Sequence, residues 1–572
     1  MHSVRPVSPA KLSHLSLTAC SLALASVLLA CTQDPATRTA APDVATLEAE
    51  PVADERVVEL STLTTVAPQR VSESAAVQHK AAVAYVQSAE DSLYPLPHPT
   101  AAPGDTYHGV DANPIMRTAD QPVSTFGLDV DTGSYAIVRR HITHGQLPPT
   151  DAVRTEELIN YFDYAATDTT FGEHPFSLST ELAVAPWHKE RYLLRVAVDA
   201  ASTPRAELPP ANLVFLIDVS GSMHDPDKLP LLQSAMRLLT RQLDGDDRVS
   251  IVTYAGQSAV VLEPTDGDET ATINAAIAKL GAGGSTHGAA GLRDAYRLAE
   301  QAFIDGGINR VMLATDGDFN VGETNHDALV RLIERKRKSG VALSTLGFGQ
   351  GNYNDHLMEQ LADHGNGNYA YIDSLREARK VLDQELGATL HTVAHDAKIQ
   401  VEFNPATVAE YRLIGYENRA LREQDFDNDR IDAGDIGAGH SVTALYELAL
   451  VGSDGTQLPE RRFTESQRTH DADTRAIAEV RLRYKASLDT PSTRIDRLLS
   501  LDDTVERGSD SLRFSASVAA WGQWLREDST GEAFGPLAIR ALAETAIGAD
   551  TAGHRREFLE LVDLSGALRE QS

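Results

Sequence analysis

Asp218-Val219-Ser220-Gly221-Ser222 directly follows the apolar run 213–217. A continuous apolar run of that length reads as a buried strand, which places Asp218 at its carboxyl end and Ser220 and Ser222 in the turn beyond. Carboxylate and hydroxyl oxygens are what a hard divalent cation takes as ligands, and open α/β sheets bind their ligands at the carboxyl ends of parallel strands. Two later segments supply matching parts. Gly283-Gly284-Ser285-Thr286-His287-Gly288 is a glycine-rich loop that presents the Thr286 hydroxyl. Val311-Met312-Leu313-Ala314-Thr315-Asp316-Gly317 reads as a second buried strand, ending in a carboxylate and a turn. Two aspartates can neutralise a divalent ion while hydroxyls add no charge. With one carboxylate bound only through water, the ion stays electrophilic and seeks a further oxygen ligand.

These residues resemble the von Willebrand factor type A domain, whose metal-ion-dependent adhesion site reads D-x-S-x-S, then Thr, then Asp. The resemblance implies that Asp218, Ser220, Ser222, Thr286 and Asp316 are direct or water-mediated ligands of Mg2+ or Mn2+, with Ca2+ serving less well. In integrin-type relatives a partner's Glu or Asp fills the open position, so the implied partner is a protein offering a carboxylate. Segments 124–147, 151–164 and 398–448 further look like one bacterial lipoprotein family, in which a dedicated N-terminal region precedes the type A domain and a poorly characterised region follows it. The resemblance covers roughly residues 110–570.

Other motifs carry less. Val130-Asp131-Thr132-Gly133-Ser134 mimics an aspartic-protease loop, but no second such loop occurs and helical spacing follows at once, so Asp131 is expected as a helix N-cap. His391-Thr392-Val393-Ala394-His395 has the histidine spacing of zinc proteases with Thr in place of the general-base Glu, and is expected as surface histidines near a helix end. Asp425-Phe426-Asp427-Asn428-Asp429 starts like a calcium loop, yet Arg430 stands at the Gly position and Ile436 at the bidentate-Glu position; a polar turn is expected. Gly284-x-Thr286-x-Gly288 only imitates a nucleophile elbow, and no phosphate-binding G-x-x-x-x-G-K-[ST] loop occurs. No His, Glu or Lys is placed by sequence as an evident general base, and His224 and His287 read as rim residues. The expectation is a binding protein and not an enzyme, with no nucleotide.

The elements that position the site follow from periodicity. Strand-length apolar runs at 213–217, 249–254, 311–315 and 341–346 alternate with amphipathic helical stretches, a doubly wound α/β arrangement over 206–392. Before it, 111–205 reads as an α+β region with strands at 124–130, 176–184 and 192–198 and helices at 135–144 and 152–162. After it, 393–488 carries strand-like segments at 399–403, 410–416, 442–451 and 477–484, and 489–572 reads as helical, with helices at 511–525, 537–547 and 554–562. Neither flank has enough strands to bury both faces of a sheet alone. One β-sandwich built from both flanks is therefore expected, with the type A domain inserted in it.

The chain has 572 residues, too many for one core, and an ordinary 42% hydrophobic content. Its start differs. Arg5 and Lys11 precede the apolar stretch 15–29, and Leu28-Leu29-Ala30-Cys31 resembles the lipobox of a bacterial lipoprotein signal peptide over 1–30, with Cys31 as the lipidated mature N-terminus. The other cysteine, Cys20, leaves with the signal, so core burial and not a disulfide must stabilise the mature chain. Residues 31–110, rich in Ala, Thr, Pro and Glu, read as a mostly disordered tether with a reach of about 50 Å, in which 72–92 could be helical. Cleavage shifts the formal charge from −31 to −33, since two cations and no acid are lost. Such a chain is a poor nucleic-acid partner, and its membrane contact is expected through the lipid alone. The expected location is the bacterial envelope, with Thr32 after the lipidated Cys favouring the outer membrane over the inner.

Overall fold

The computed structural model describes residues 104–571 apart from 129, 165–170, 172, 286–287, 318–325, 460, 462–474 and 529–533. The expected signal peptide, Cys31 and residues 31–103 of the expected tether lie outside the described residues. The last part of that tether, 104–110, is described, and Asp105 there pairs with Arg140 at 2.6 Å, so the folded part begins earlier than expected because a salt bridge to a distant segment orders it. Among those described, no helix is long and apolar enough to cross a membrane.

A six-stranded sheet carries the site. Its order is Tyr369–Ile372, Ala342–Phe348, Ile308–Thr315, Ala211–Asp218, Arg248–Tyr254, Ser258–Asp266, parallel throughout except for the last strand. Ala211–Asp218 and Ile308–Thr315 are neighbours, paired from Ala211↔Ile308 to Ile217↔Ala314, and every residue of both is buried. That double burial is why their sequences are apolar without alternation. Leu213, Phe215 and Ile217 enter a core with Met236, Leu239 and Ile251, while Val214 and Leu216 face a second one with Tyr296, Leu313 and Ile333. After Ala211–Asp218 the chain winds to Arg248–Tyr254 and Ser258–Asp266, then returns across to Ile308–Thr315. The reversal of winding opens a crevice at the carboxyl ends of the two central strands.

The flanks form the expected sandwich, with backbone pairing across the insertion. In one sheet His188–Ala200 pairs with Ser441–Leu450, from Ser441↔Asp199 to Leu448↔Tyr192; in the other Val123–Gly127 pairs with Thr392–Phe403. Phe126, Leu194, Val196, Ile399, Val401, Phe403, Tyr446 and Val480 fill the space between them. Helices from both ends of the chain share a further core: Tyr135, Leu158 and Phe162 pack with Phe514, Trp521 and Phe558 over Leu193 and Leu445 of the first sheet. The terminal helices run Asp510–Leu525, Pro536–Glu544 and His554–Gln571. The strands Ser258–Asp266, Tyr369–Ile372 and Thr493–Ser500 were not anticipated, the last of them in a stretch expected to be helical, nor were the short ones Met116–Arg117, Ala420–Leu421, Gly434–Gly437 and Thr504–Val505.

A helix cap is also corrected. The helix Gly133–Thr143 has Thr132 as N-cap, not Asp131. Asp131 is buried, and its Oδ1 accepts from Tyr369 N at 2.8 Å while Arg419 stands 3.5 Å from Oδ2. Its carboxylate thus fastens the inserted domain to its flank, and a tertiary amide has displaced the local cap. Nearby arginines do the same. Arg139 meets Asp373 at 2.5 Å and Glu377 at 2.7 Å, Arg154 meets Asp355 and Glu157, and Arg419 meets Asp363 at 2.7 Å.

Within the sandwich Arg191 is fully buried between Glu410 and Glu447, at 3.0 and 2.9 Å. Arg191→Met should destabilise the protein by about 3–5 kcal/mol, because it takes from two buried carboxylates the cation they share. Urea unfolding monitored by circular dichroism checks this; a midpoint equal to wild type would contradict it.

Candidate metal centre

The strand Ala211–Asp218 ends with Asp218 fully buried. Its Oδ1 accepts from Ser220 N at 2.8 Å and its Oδ2 from Thr315 Oγ1 at 3.1 Å, so the neighbouring strand helps fix the carboxylate. Ser220 is buried, Ser222 is exposed, and their Oγ atoms stand 2.9 Å apart. The turn holding them is laced to the glycine loop: Gly221 N donates to Gly284 O at 3.0 Å and Gly283 N to Val219 O at 2.7 Å. Gly284 has φ +98°, a conformation that glycine adopts without strain. Thr286 and His287 lie just beyond it, outside the described residues, and His224 is exposed.

Asp316 follows the strand Ile308–Thr315 and is also buried. Its Oδ2 pairs with Lys228 Nζ at 3.0 Å, whereas Oδ1 is buried without a hydrogen-bond partner among the described residues. An orphaned carboxylate oxygen is costly. Gly317 turns the chain away at φ +89°, packed so closely on Tyr353 and Asn354 that a side chain there would collide with the Asn354 backbone. Burial, the largest influence, and the Asp316 charge hold the Asp218 carboxyl above its ordinary 3.8, against the lowering effect of Ser220 and Thr315. Two desolvated carboxylates, one orphaned oxygen and two serine hydroxyls fit a hard divalent cation. Asp218, Ser220, Ser222 and Asp316 would hold it, and the ion would supply a Lewis-acidic position for an incoming oxygen ligand.

Lys228 was not anticipated as part of this centre, and its pairing with Asp316 spans 88 residues of sequence. A signal was present: it is a cation directly ahead of Leu229-Pro230, at a helix start where the positive end of the dipole disfavours one. Thr315 was likewise hidden in an apolar run. The other motifs stay apart from the centre. His391 ends the short helix Leu386–Leu390, while His395 lies on the strand Thr392–Phe403 and meets Asp435 at 2.9 Å. Asp425 forms the expected polar turn, its carboxylate on Arg422 at 2.8 Å. Cavities of about 310 and 400 Å³ sit at the seams between the inserted domain and its flanks, lined by none of Asp218, Ser220, Ser222 and Asp316.

Comparison with known proteins agrees with this geometry. Residues 212–384 match the von Willebrand factor type A domain model, 102–195 a model described as von Willebrand factor, and 388–568 one described as uncharacterized protein YfbK, C-terminal. The uncharacterized protein YfbK of Escherichia coli strain K12 is 46% identical over 480 residues, which is 82% of this chain and 83% of that one. Uncharacterized protein sll0103 of a Synechocystis strain is 29% identical over 212 residues, 37% of this chain and 49% of that one. Among solved structures, von Willebrand factor type A from Catenulispora acidiphila is 18% identical, covers 69% of this chain and 92% of that one, and has a TM-score of 0.37. Type A domains commonly bind a divalent metal at their adhesion site and act in protein interactions, typically without enzymatic activity.

Asp218→Ala should abolish Mg2+ binding in calorimetry and leave the circular dichroism spectrum near native; unchanged affinity would contradict the site. Because the Asp218 carboxyl is raised in the fold, the metal-free protein gains stability from protonation at low pH and loses it as pH rises through the folded value. Mg2+ should therefore raise the melting temperature most at neutral pH. That increment should fade as pH falls toward the carboxylate range, and a pH-independent one would contradict the linkage.

Proposed function

The chain belongs to the family of the uncharacterized protein YfbK of Escherichia coli, and on that premise we propose that it is an exported, lipid-anchored binding protein that captures a protein ligand by its carboxylate. A Mg2+ or Mn2+ ion at Asp218, Ser220, Ser222, Thr286 and Asp316 forms the bridge. The observation that carries this reading is the buried Asp316 Oδ1, unpartnered at the carboxyl end of one central strand beside the Asp218 and serine turn of the next. Such a group asks for a cation, and a cation ligated by two aspartates and neutral hydroxyls attracts a further anionic oxygen. Calcium, larger and indifferent to octahedral geometry, supports this less well.

The attachment is the lipid on Cys31, and the location is the bacterial envelope, at the outer membrane before the inner. The roughly 80 residues of the tether give the folded part a reach of about 50 Å from the membrane. A chain this acidic is a poor nucleic-acid partner, its sequence offers no phosphate-binding G-x-x-x-x-G-K-[ST] loop for a nucleotide, and the centre works as a bridge and not as a reagent.

A second reading has its own observation. The inserted domain is held to its flanks by Arg139, Arg154 and Arg419 through buried or half-buried carboxylates. A domain fixed so firmly also suits a structural part of an envelope complex whose partners bind without metal. Capture from envelope extract, with and without chelator, separates the two. The adhesion reading predicts that a bound protein is released by chelation, is recovered with Mg2+ or Mn2+ better than with Ca2+, and is retained less by Thr286→Ala although that variant stays folded. Equal capture under all conditions would favour the scaffold. Cys31→Ser should release or missort the protein, and palmitate labelling that persists in this variant would refute the anchor.

A further inference from the structure

Lys228 is out of place by the rules of its own helix. It caps the amino end of Leu229–Leu239, where the helix dipole repels a cation, and it is buried, 6% exposed. Among the described residues its ionic partner is Asp316 Oδ2, at 3.0 Å. Its aliphatic stem lies under Gly349, which has φ +69° and where a side chain would overlap the Lys228 Cε. The Gly349 loop is itself pinned from behind. Gly349 O accepts from Arg140 Nη1 at 2.9 Å and from the Tyr371 hydroxyl, and Asp105 Oδ1 accepts from Gly351 N at 2.7 Å and Tyr353 N at 3.1 Å. Arg140 closes the loop onto Asp105 at 2.6 Å. The lysine is therefore held at Asp316 by the N-terminal flank, and is not a surface side chain that happens to reach it.

The consequence is a matter of charge. Asp218 and Asp316 bring two negative charges, and Lys228 returns one positive. We propose that Lys228 is a built-in counter-cation that leaves the centre with a single net negative charge, so that a divalent ion bound there retains net positive charge for an incoming carboxylate, at the cost of weaker metal binding. With Asp316 Oδ2 committed to the ammonium, Oδ1 is the oxygen left for the ion. Without the lysine the same ion would be fully neutralised; it would be held more tightly and attract a partner's carboxylate less, since affinity at such sites follows the count of charged ligands. This inference rests on the metal-bridged reading above, and its test keeps the two apart.

The test uses the full chain with Mg2+ alone, titrated calorimetrically at pH 8, for wild type, Lys228→Met and Gly349→Ala. Lys228→Met should bind Mg2+ at least about tenfold more tightly than wild type. Gly349→Ala, which retains the charge and dislodges the stem, should move the same way by less. The rise in melting temperature on adding Mg2+ should also be larger for Lys228→Met. With Mn2+ loaded, acetate displacing a coordinated water lowers the water-proton relaxation rate, and Lys228→Met should need several-fold more acetate for the same fall. Equal or weaker metal affinity in Lys228→Met, or an unchanged acetate titration, overturns the role of Lys228 while leaving the metal reading intact. If wild type binds no Mg2+, both fall. If Lys228→Met does not fold without metal, Gly349→Ala decides, and affinity no tighter than wild type overturns the proposal.

Discussion

The organisation of this protein depends on placing two carboxylates out of water at the ends of adjacent strands. Asp218 and Asp316 are both buried, and the first has its carboxyl pushed up by burial and by the charge of the second. Like charges in a desolvated space are unfavourable unless donors and cations answer them. Ser220 N, Thr315 Oγ1 and Lys228 answer three of the four oxygens, and Asp316 Oδ1 is left. Every other feature of the crevice can be understood as holding that arrangement open toward a hard cation.

Much of the remaining structure serves to keep the crevice from relaxing. A domain inserted by two chain crossings would ordinarily move relative to its host. Here the host is itself a sandwich that exists only because strands from both sides of the insertion pair, so the two crossings are bound together by continuous sheet. Arginines then tie the side of the inserted domain facing the flanks. Their planar, multiply donating heads suit this role, since one guanidinium can engage several carboxylates at fixed angles, as Arg139 does with Asp373, Glu377 and Glu557. The Asp105 and Arg140 contacts carry that rigidity to the Gly349 loop and so to Lys228, which pairs with the other oxygen of the same Asp316 carboxylate.

The sequence was most informative where burial is two-sided. Runs such as 213–217 and 311–314 have no polar residue to confuse the reading, and their ends pointed directly to the buried carboxylates Asp218 and Asp316. The shared sandwich was legible by counting strands on each flank. Edge strands were not: Thr493–Ser500 carries Arg494, Asp496 and Arg497 and is largely exposed, so it lacks the alternation that a half-buried strand shows. Tyr369–Ile372 is four residues long and Ser258–Asp266 is only partly buried, both too weak a signal. Asp131 looked like a cap because local spacing cannot see Tyr369, and Lys228 passed unremarked because its partner lies 88 residues away. What sequence concealed, in each case, was a polar contact formed only when distant segments meet.

The central claim is that the crevice holds one hard cation among Asp218, the two serines and Asp316. Crystals soaked with Mn2+ and measured at its absorption edge test it most directly. The account predicts a single strong anomalous peak about 2.1 Å from the Ser220 and Ser222 hydroxyl oxygens, with Asp316 Oδ1 facing it directly or through one water. Absence of a peak there, or a stronger one elsewhere on the molecule, would contradict it.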